Sequence, residues 1–286
     1  MNQAETSRRL RWWQMLGGLL LAAGLAACGT PLPSQGVAAA PETAPAPAPA
    51  RMAAPRAARA ESTLGTQWGE GRESNIRTVD ATRLSPDRPQ AVSQLRYSDE
   101  TSIRRALGSR VDRQLNVLLA DGEVEWSVQD GQGRPLPIFS TRGGQDFQVA
   151  GRSGERYELV YTNRSNRYYE VVATVDGLDV LSGQPGSVRN DGYLLRPGET
   201  LRIDGFRKSR SEVAAFRFAA KGRAYANNTP AGDARNVGVI GSALFEVRVN
   251  ERDGGARRPP EGAAGSPQAF PGDPARPYAP PPQYRR

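Results

Sequence analysis

The chain contains no histidine and only one cysteine in 286 residues. Those two shortages remove much of the usual chemistry. The His and Cys sets that hold zinc or blue copper cannot be assembled. Nucleophile activation by Ser-His-Asp or Cys-His is excluded as well. One cysteine leaves no intrachain disulfide. Runs of five or six like charges are also missing. The formal charge of +8 is scattered: residues 1–27 carry +2 (Arg8, Arg9 and Arg11 against Glu5), leaving +6 for the rest. This pattern gives no nucleic-acid footprint. A mild cationic excess suits a surface near anionic lipid or wall polymer. Neither a cofactor nor a bound metal is expected.

What is present begins with a charged segment over residues 1–14, ending in Trp12-Trp13, and an uncharged apolar run from Met15 to Ala27. Those 13 residues fall short of the about 20 that a spanning helix needs. They have the length of the apolar core of a signal peptide. The run closes in Leu25-Ala26-Ala27-Cys28, which resembles the lipobox of bacterial lipoproteins. The resemblance implies diacylglyceryl transfer to the Cys28 sulfur and cleavage before that residue. The competing reading is an ordinary secreted protein with a stray cysteine, but the chain's only cysteine sits where the lipobox requires one. Several acyl chains, at roughly 0.8 kcal/mol per buried CH₂, anchor a protein durably. Gly29 follows, where lipoproteins kept at the inner membrane often carry Asp, so the resemblance points to the outer membrane. Ser7-Arg8-Arg9-Leu10 also resembles a twin-arginine signal, although a plain basic segment accounts for it.

Of the 23 Pro, 16 lie outside residues 62–250, toward the two ends. Residues 28–61 read as an Ala/Pro-rich tether around Pro45-Ala46-Pro47-Ala48-Pro49, a composition that favours extended polyproline II. Residues 251–286 are rich in Gly, Pro and Arg and nearly free of aliphatics. They are expected to be a disordered tail, for want of surface to bury. Its prolines also permit a polyproline ligand role.

Between these ends the pattern is β. Leu115, Val117 and Leu119 share one face before Asp121-Gly122, which reads as a type I′ turn. Val124, Trp126 and Val128 alternate with Glu123, Glu125 and Ser127. Tyr157, Leu159 and Tyr161 form another set, then Tyr169, Val171, Ala173 and Val175 before Asp176-Gly177. Short strands are expected over 178–181, 193–196 and 200–204, with a type II turn at Pro197-Gly198. Phe216 and Phe218 face away from Arg217, and Val237, Val239, Ala243, Phe245, Val247 and Val249 lie in phase. Such spacing predicts an all-β fold, an antiparallel β-sandwich of about eight strands over residues 111–250. Residues 62–110 are expected to be an accessory segment packed on the domain. It holds a strand at 91–97 and a short N-terminal helix starting at Ser98 and ending near Leu107. Leu64–Gly69 reads as too polar and glycine-rich for a strand core.

Several stretches together, LGTQWGE at 64–70, YEVVATVDGLDVLSG at 169–183, GYLLRPGETLRIDGFRKS at 192–209, AFRF at 215–218 and NVGVIGSALF at 236–245, are similar to a family of uncharacterised proteobacterial envelope proteins. The resemblance spans about residues 62–250. It implies that the Leu64 segment belongs with the sandwich, and it brings no activity or catalytic residue.

Three groups of side chains are candidate sites. Aspartates 121, 130, 176, 191 and 204 all precede glycine, which is turn chemistry first and an acidic or calcium role second. Asp176 and Asp179 lie close enough in sequence for an acid–base pair. Arg202, Arg207, Lys208 and Arg210 form a basic cluster able to hold phosphate or carboxylate. With Tyr168, Tyr193 or Trp68 it would make a sugar-binding surface. The leading expectation is a membrane-anchored, non-catalytic module for protein partners in the envelope. A module for cell-wall glycan ranks second and a carboxylate-based hydrolase third.

Overall fold

The computed structural model describes residues 61–109, 111–249, 267–269 and 278–284. The expected signal peptide (1–27), Cys28 and nearly all of the expected tether lie outside them. Among the described residues there are eighteen strands and one α-helix. The first four strands are β1 (Leu64–Glu73), β2 (Arg77–Thr78), β3 (Ala81–Arg83) and β4 (Ala91–Ser98), followed by helix α1 (Glu100–Leu107). Then come β5 (Val111–Gln114), β6 (Val117–Leu119), β7 (Val124–Asp130), β8 (Ile138–Thr141) and β9 (Phe147–Ala150). β10 (Tyr157–Asn163), β11 (Tyr168–Val175), β12 (Leu178–Asp179), β13 (Tyr193–Leu195) and β14 (Thr200–Ile203) continue the chain. β15 (Gly205–Arg207), β16 (Glu212–Ala220), β17 (Val239–Val249) and β18 (Gln268–Ala269) complete it.

The fold is all-β, with more and shorter strands than the expected eight. One large sheet runs β2-β18-β13-β11-β17-β4-β9-β8-β5, with β12 and β3 attached at its side. Opposite lie a four-stranded sheet, β14-β10-β7-β6, and a three-stranded sheet, β1-β16-β15. A bridge between Arg156 and Arg217 joins the two smaller sheets. Pairing is antiparallel except for β4 with β9 and β18 with β2. Between the layers lies one core, with Trp126, Tyr157, Tyr161, Tyr169, Phe216 and Phe218 buried in it. Val124, Trp126 and Val128 are wholly buried, as their alternation predicts. Each fully buried side chain of this size stabilises by roughly 1.5–3 kcal/mol.

Strand β17 corrects the expected phase. Its core-facing residues are Ile240 and Leu244. The set in phase with Phe245 packs on the other side, where Ala243, Phe245 and Val247 form a second cluster with Val172 and Leu194. Residues 79–83 cover that side, with Val79 and Ala81 packed against it. The Arg83 guanidinium lies 3.9 Å above the Phe245 ring and makes two hydrogen bonds to Glu170, of 2.6 and 2.9 Å. A strand covered on both faces reads as a continuous apolar run, so periodicity alone cannot choose its inner face.

Residues 62–109, expected to be an accessory segment, supply strands within the sheets of the domain. β4 sits between β17 and β9, and β1 pairs with β16 along its length from Leu64↔Ala220 to Glu73↔Glu212. The glycines of β1 mark close approach of neighbouring chain. A Cβ at Gly65 would stand 2.6 Å from Ala224 Cβ, and one at Gly69 2.5 Å from the Ala215 carbonyl oxygen. Helix α1 starts one residue later than expected. Asp99 is its N-cap and accepts from the Ser102 N–H at 2.9 Å. The loop between β6 and β7 is longer than the expected two-residue turn, because Leu119 pairs with Val124 and leaves Ala120 to Glu123 outside the ladder. The turns at Asp176-Gly177 and Pro197-Gly198 stand where expected, with Gly177 and Gly198 at positive φ.

Within 251–286, read from sequence as a tail with too little apolar surface to fold, two pieces are placed on the domain. β18 fills the slot between β13 and β2. Residues 278–284 lie further along, against the turns that follow β16. Main-chain hydrogen bonds and two buried methyl groups, of Ala269 and Ala279, hold these pieces, which aliphatic content alone does not anticipate.

Candidate functional site

The residues named from sequence do not converge on one surface. Arg207 is 1% exposed and Tyr193 wholly buried. Arg207 Nη2 donates to the Tyr193 hydroxyl at 3.3 Å and to Ser74 Oγ at 3.1 Å, and Nη1 to the Ser74 carbonyl. These two side chains fasten the end of β1 to the sheets. Tyr168 is exposed on β11 opposite Val247, in a different sheet from Arg207. Arg202 is exposed and donates to Gln129 and Glu158. Lys208 pairs with Glu212 at 2.5 Å, and Arg210 is exposed. The expected aromatic and basic platform is therefore divided between core and surface. Trp68 is half-buried against Phe206 and Tyr225.

The two aspartates proposed as an acid–base pair are likewise interior, at 1% exposure for Asp176 and 2% for Asp179. A carboxylate closed off from solvent has no path to a polymer substrate. Asp176 accepts from the Thr66 N–H (2.8 Å), the Gly238 N–H (2.8 Å) and the Tyr97 hydroxyl (2.6 Å). Thr66 Oγ1 links in turn to the hydroxyls of Tyr97 and Tyr157, at 2.7 and 2.6 Å. Burial pushes the Asp176 carboxyl up to about 6, against the pull of its hydrogen bonds. Asp179 is also pushed up to about 6 by burial. Its Oδ2 accepts from the Ser182 N–H and hydroxyl, at 2.7 and 2.6 Å. Its Oδ1 has no hydrogen bond of ordinary geometry, although the Asn190 amide lies near enough to favour the charged form. Both aspartates are structural, and Asp176 is more than a turn former.

The remaining aspartates follow turn chemistry. Asp130 accepts from the N–H groups of Gln132 and Arg134. Asp204 stands at the break where the chain passes from β14 to β15, and so from one sheet to the other.

Two places on the domain stand out, an open recess and a seat for the chain's own residues 278–284. One, of about 460 Å³, lies over the outer face of β4, β17 and β11. Gly241 and Ala243 form its floor, and Val92, Phe147 and Val188 stand around it. The other holds part of the chain itself. Here Tyr225, tilted against Trp68 (4.9 Å between ring centres) and Phe206 (4.7 Å), directs its hydroxyl to the Pro280 carbonyl at 2.6 Å. The Ala279 N–H donates to the Arg207 carbonyl on β15 at 2.8 Å, and the Gln283 N–H to the Asn228 carbonyl at 2.6 Å. Ala279 is 5% exposed and lies over Gly183. Two consecutive 3-10 turns, Lys221–Arg223 and Tyr225–Asn228, shape the wall. The Asn228 side-chain amide braces them, donating to the carbonyls of Gly222 and Ala224.

This groove escapes sequence reading because its parts come from four distant segments. Only the Pro280-Pro281-Pro282 run hints at it, and the run marks the occupant rather than the receiving surface. No family model, curated protein or solved structure compared with this chain matches it.

Proposed function

We propose that this protein is a lipid-anchored lipoprotein of the bacterial envelope, with lipid on Cys28 and its β domain acting as a non-catalytic module for protein partners. The anchor rests on the order charged segment, apolar run, Leu25-Ala26-Ala27-Cys28. The outer membrane is favoured by Gly29. One observation carries the interaction role: the domain seats an extended stretch of chain, 278–284, through main-chain hydrogen bonds over an aromatic floor. Extended peptides are commonly recognised in this way, with backbone bonds supplying affinity and side-chain niches supplying selectivity. No observation favours the glycan reading, since Tyr193 and Arg207 are interior.

The test is photocrosslinking in intact cells. A crosslinking residue is placed in turn at Arg223, beside the groove, and at Val92, beside the open recess. Reproducible adducts with a defined envelope protein are expected. Absence of any protein adduct from either position would remove the interaction reading.

A further inference from the structure

We propose that the groove beneath residues 278–284 is a recognition site for a proline-rich peptide segment of a second protein. The motif it fits is a small residue followed by three prolines, and the chain's own tail is a resident occupant that such a partner displaces. This rests on the reading of the domain as an interaction module.

The motif follows from which groups the groove offers and where. The receiving surface presents the Arg207 carbonyl to the N–H of residue 279 and the Asn228 carbonyl to the N–H of residue 283. Between them it presents a donor, the Tyr225 hydroxyl, to the carbonyl of residue 280. Residues 280, 281 and 282 are all proline, and proline has no N–H to satisfy. The two N–H groups that flank the proline run, of Ala279 and Gln283, are thus the two that the receiving surface engages. A non-proline residue at any of these three positions would bring a further N–H needing water or another partner.

Selectivity at the first position comes from Gly183. A Cβ added there would stand 2.7 Å from Ala279 Cβ and 3.0 Å from the Tyr225 hydroxyl. Gly183 therefore leaves the room that the buried Ala279 methyl takes, and a side chain at 183 would fill it. Proline at 280 also holds the preceding residue in extended backbone. Such a segment loses little freedom on binding, which is the usual advantage of proline-rich ligands.

The occupant is held in a manner that permits exchange. Of its side chains only that of Ala279 is buried, while Pro280, Pro281, Gln283 and Tyr284 are exposed. The floor beneath is built of rings that pack on one another: Phe206 lies 5.1 Å from Phe216 and 4.7 Å from Tyr225, which lies 4.9 Å from Trp68. Departure of the tail gives up three hydrogen bonds and the core contact of the Ala279 methyl, while the ring contacts among Trp68, Phe206 and Tyr225 do not involve it. A tail joined to its own domain competes at a high effective concentration, so an outside peptide meets an occupied site.

The probe is a synthetic peptide with the sequence of residues 276–286, fluorescently labelled and added to the full chain. Ala279→Arg in the full chain expels the tail and leaves the receiving surface intact. This variant is expected to bind the peptide at least tenfold more tightly than the unaltered chain. A peptide carrying Arg at its alanine should not bind at all. In the unaltered chain, hydrogen exchange at the Ala279 and Gln283 amides should quicken as the peptide is titrated in. Replacing 278–284 by a Gly-Ser stretch gives a second tail-free chain, in case Ala279→Arg perturbs folding. If both tail-free chains keep native near-UV circular dichroism yet bind no more tightly than the unaltered chain, the proposal fails. If both lose native structure, the segment is structural, and the proposal fails on that ground. Partner adducts formed at Val92 but never at Arg223, and unaffected by Ala279→Arg, would overturn the groove while sparing the interaction module. If the only adduct at Arg223 is a second copy of this chain, tail exchange between copies replaces the partner proposed here.

Discussion

The hydroxyl of Tyr97 donates to Asp176 at 2.6 Å, joining β4 to the turn after β11 across 79 residues of sequence. The same carboxylate takes N–H groups from β1 and from Gly238, just before β17. One buried acid thus ties together strands from both layers. With Asp179, it gives the domain a particular dependence on pH.

Both carboxyls are raised from 3.8 to about 6 in the folded chain. The folded state therefore binds their protons more tightly than the unfolded state does between roughly pH 4 and pH 6. Stability falls as pH rises through that window and is flat above it. Each group contributes on the order of 3 kcal/mol to the change. Asp99 and Asp233 work the other way, because hydrogen bonds from Thr63 and Arg235 respectively hold them near 2. Their contribution is lost as pH falls through about 4 toward 2. The melting temperature should therefore be higher at pH 5 than at pH 7.5 and should decline below pH 4. A scan of melting temperature in low-salt buffers checks this, and a rise from pH 5 to pH 7.5 would contradict it.

The two aspartates should respond differently to conversion to asparagine. At Asp176 both oxygens accept, so an amide nitrogen would face a backbone or phenol donor. Asp176→Asn is expected to cost about 2 kcal/mol or more at pH 7.5. At Asp179 Oδ2 is engaged by Ser182, and Oδ1 has only the Asn190 amide near it, which can turn its own oxygen toward an amide nitrogen placed there. Asp179→Asn should stabilise by about 1 kcal/mol at pH 7.5, by removing a buried charge, and change little at pH 4.5. Urea denaturation at the two pH values separates these outcomes.

The six residues that looked like a binding surface should divide by burial. Removing a buried, hydrogen-bonded cation is costly, so Arg207→Ala should destabilise by about 3 kcal/mol. Tyr193→Phe leaves a buried guanidinium short of one partner and should cost about 1 kcal/mol. Arg202→Ala, Lys208→Ala, Arg210→Ala and Tyr168→Ala should each stay within about 0.5 kcal/mol. Thermal melts of the six variants provide the measurement, and equal effects across them would refute the division.

Strand β1 should tolerate a methyl group poorly. Gly65→Ala would place its Cβ within 2.8 Å of Val237 Cγ1 and closer still to Ala224. Overpacking of this kind costs about 1–3 kcal/mol. The loss should appear as a lower denaturation midpoint with an unchanged slope.

Palmitate labelling in cells should be lost in Cys28→Ser, and the altered chain should leave the membrane fraction. Labelling that survives the substitution would overturn the anchor.

Much of the core was legible in the sequence where one strand face is wet. Val124, Trp126 and Val128 alternate with charged or polar neighbours, and all three are buried as that pattern demands. β17 hid its orientation because Phe245 and Leu244 are both buried, on opposite faces. β1 was obscured by glycines whose purpose, room for Ala224 and Ala215, is visible only once β16 and the turn after it are in place. The basic cluster misled because composition does not distinguish an arginine on a loop from Arg207 buried beside Tyr193. The groove was out of reach for a different reason. Its ligand lies almost 100 residues beyond Gly183, and no local pattern joins them.

The slot filled by β18 also bears on how the chain is made. Synthesis proceeds from the N-terminus, and the sheet flanked by β2 and β13 waits for residues 268–269 to emerge. Until then the outer edge of Tyr193–Leu195 has open backbone groups, which invite pairing with other chains. Residues 268–269, translated long after the strands they join, therefore act as a closing stitch. A ribosome that stops shortly before residue 268 would release a body with an open seam.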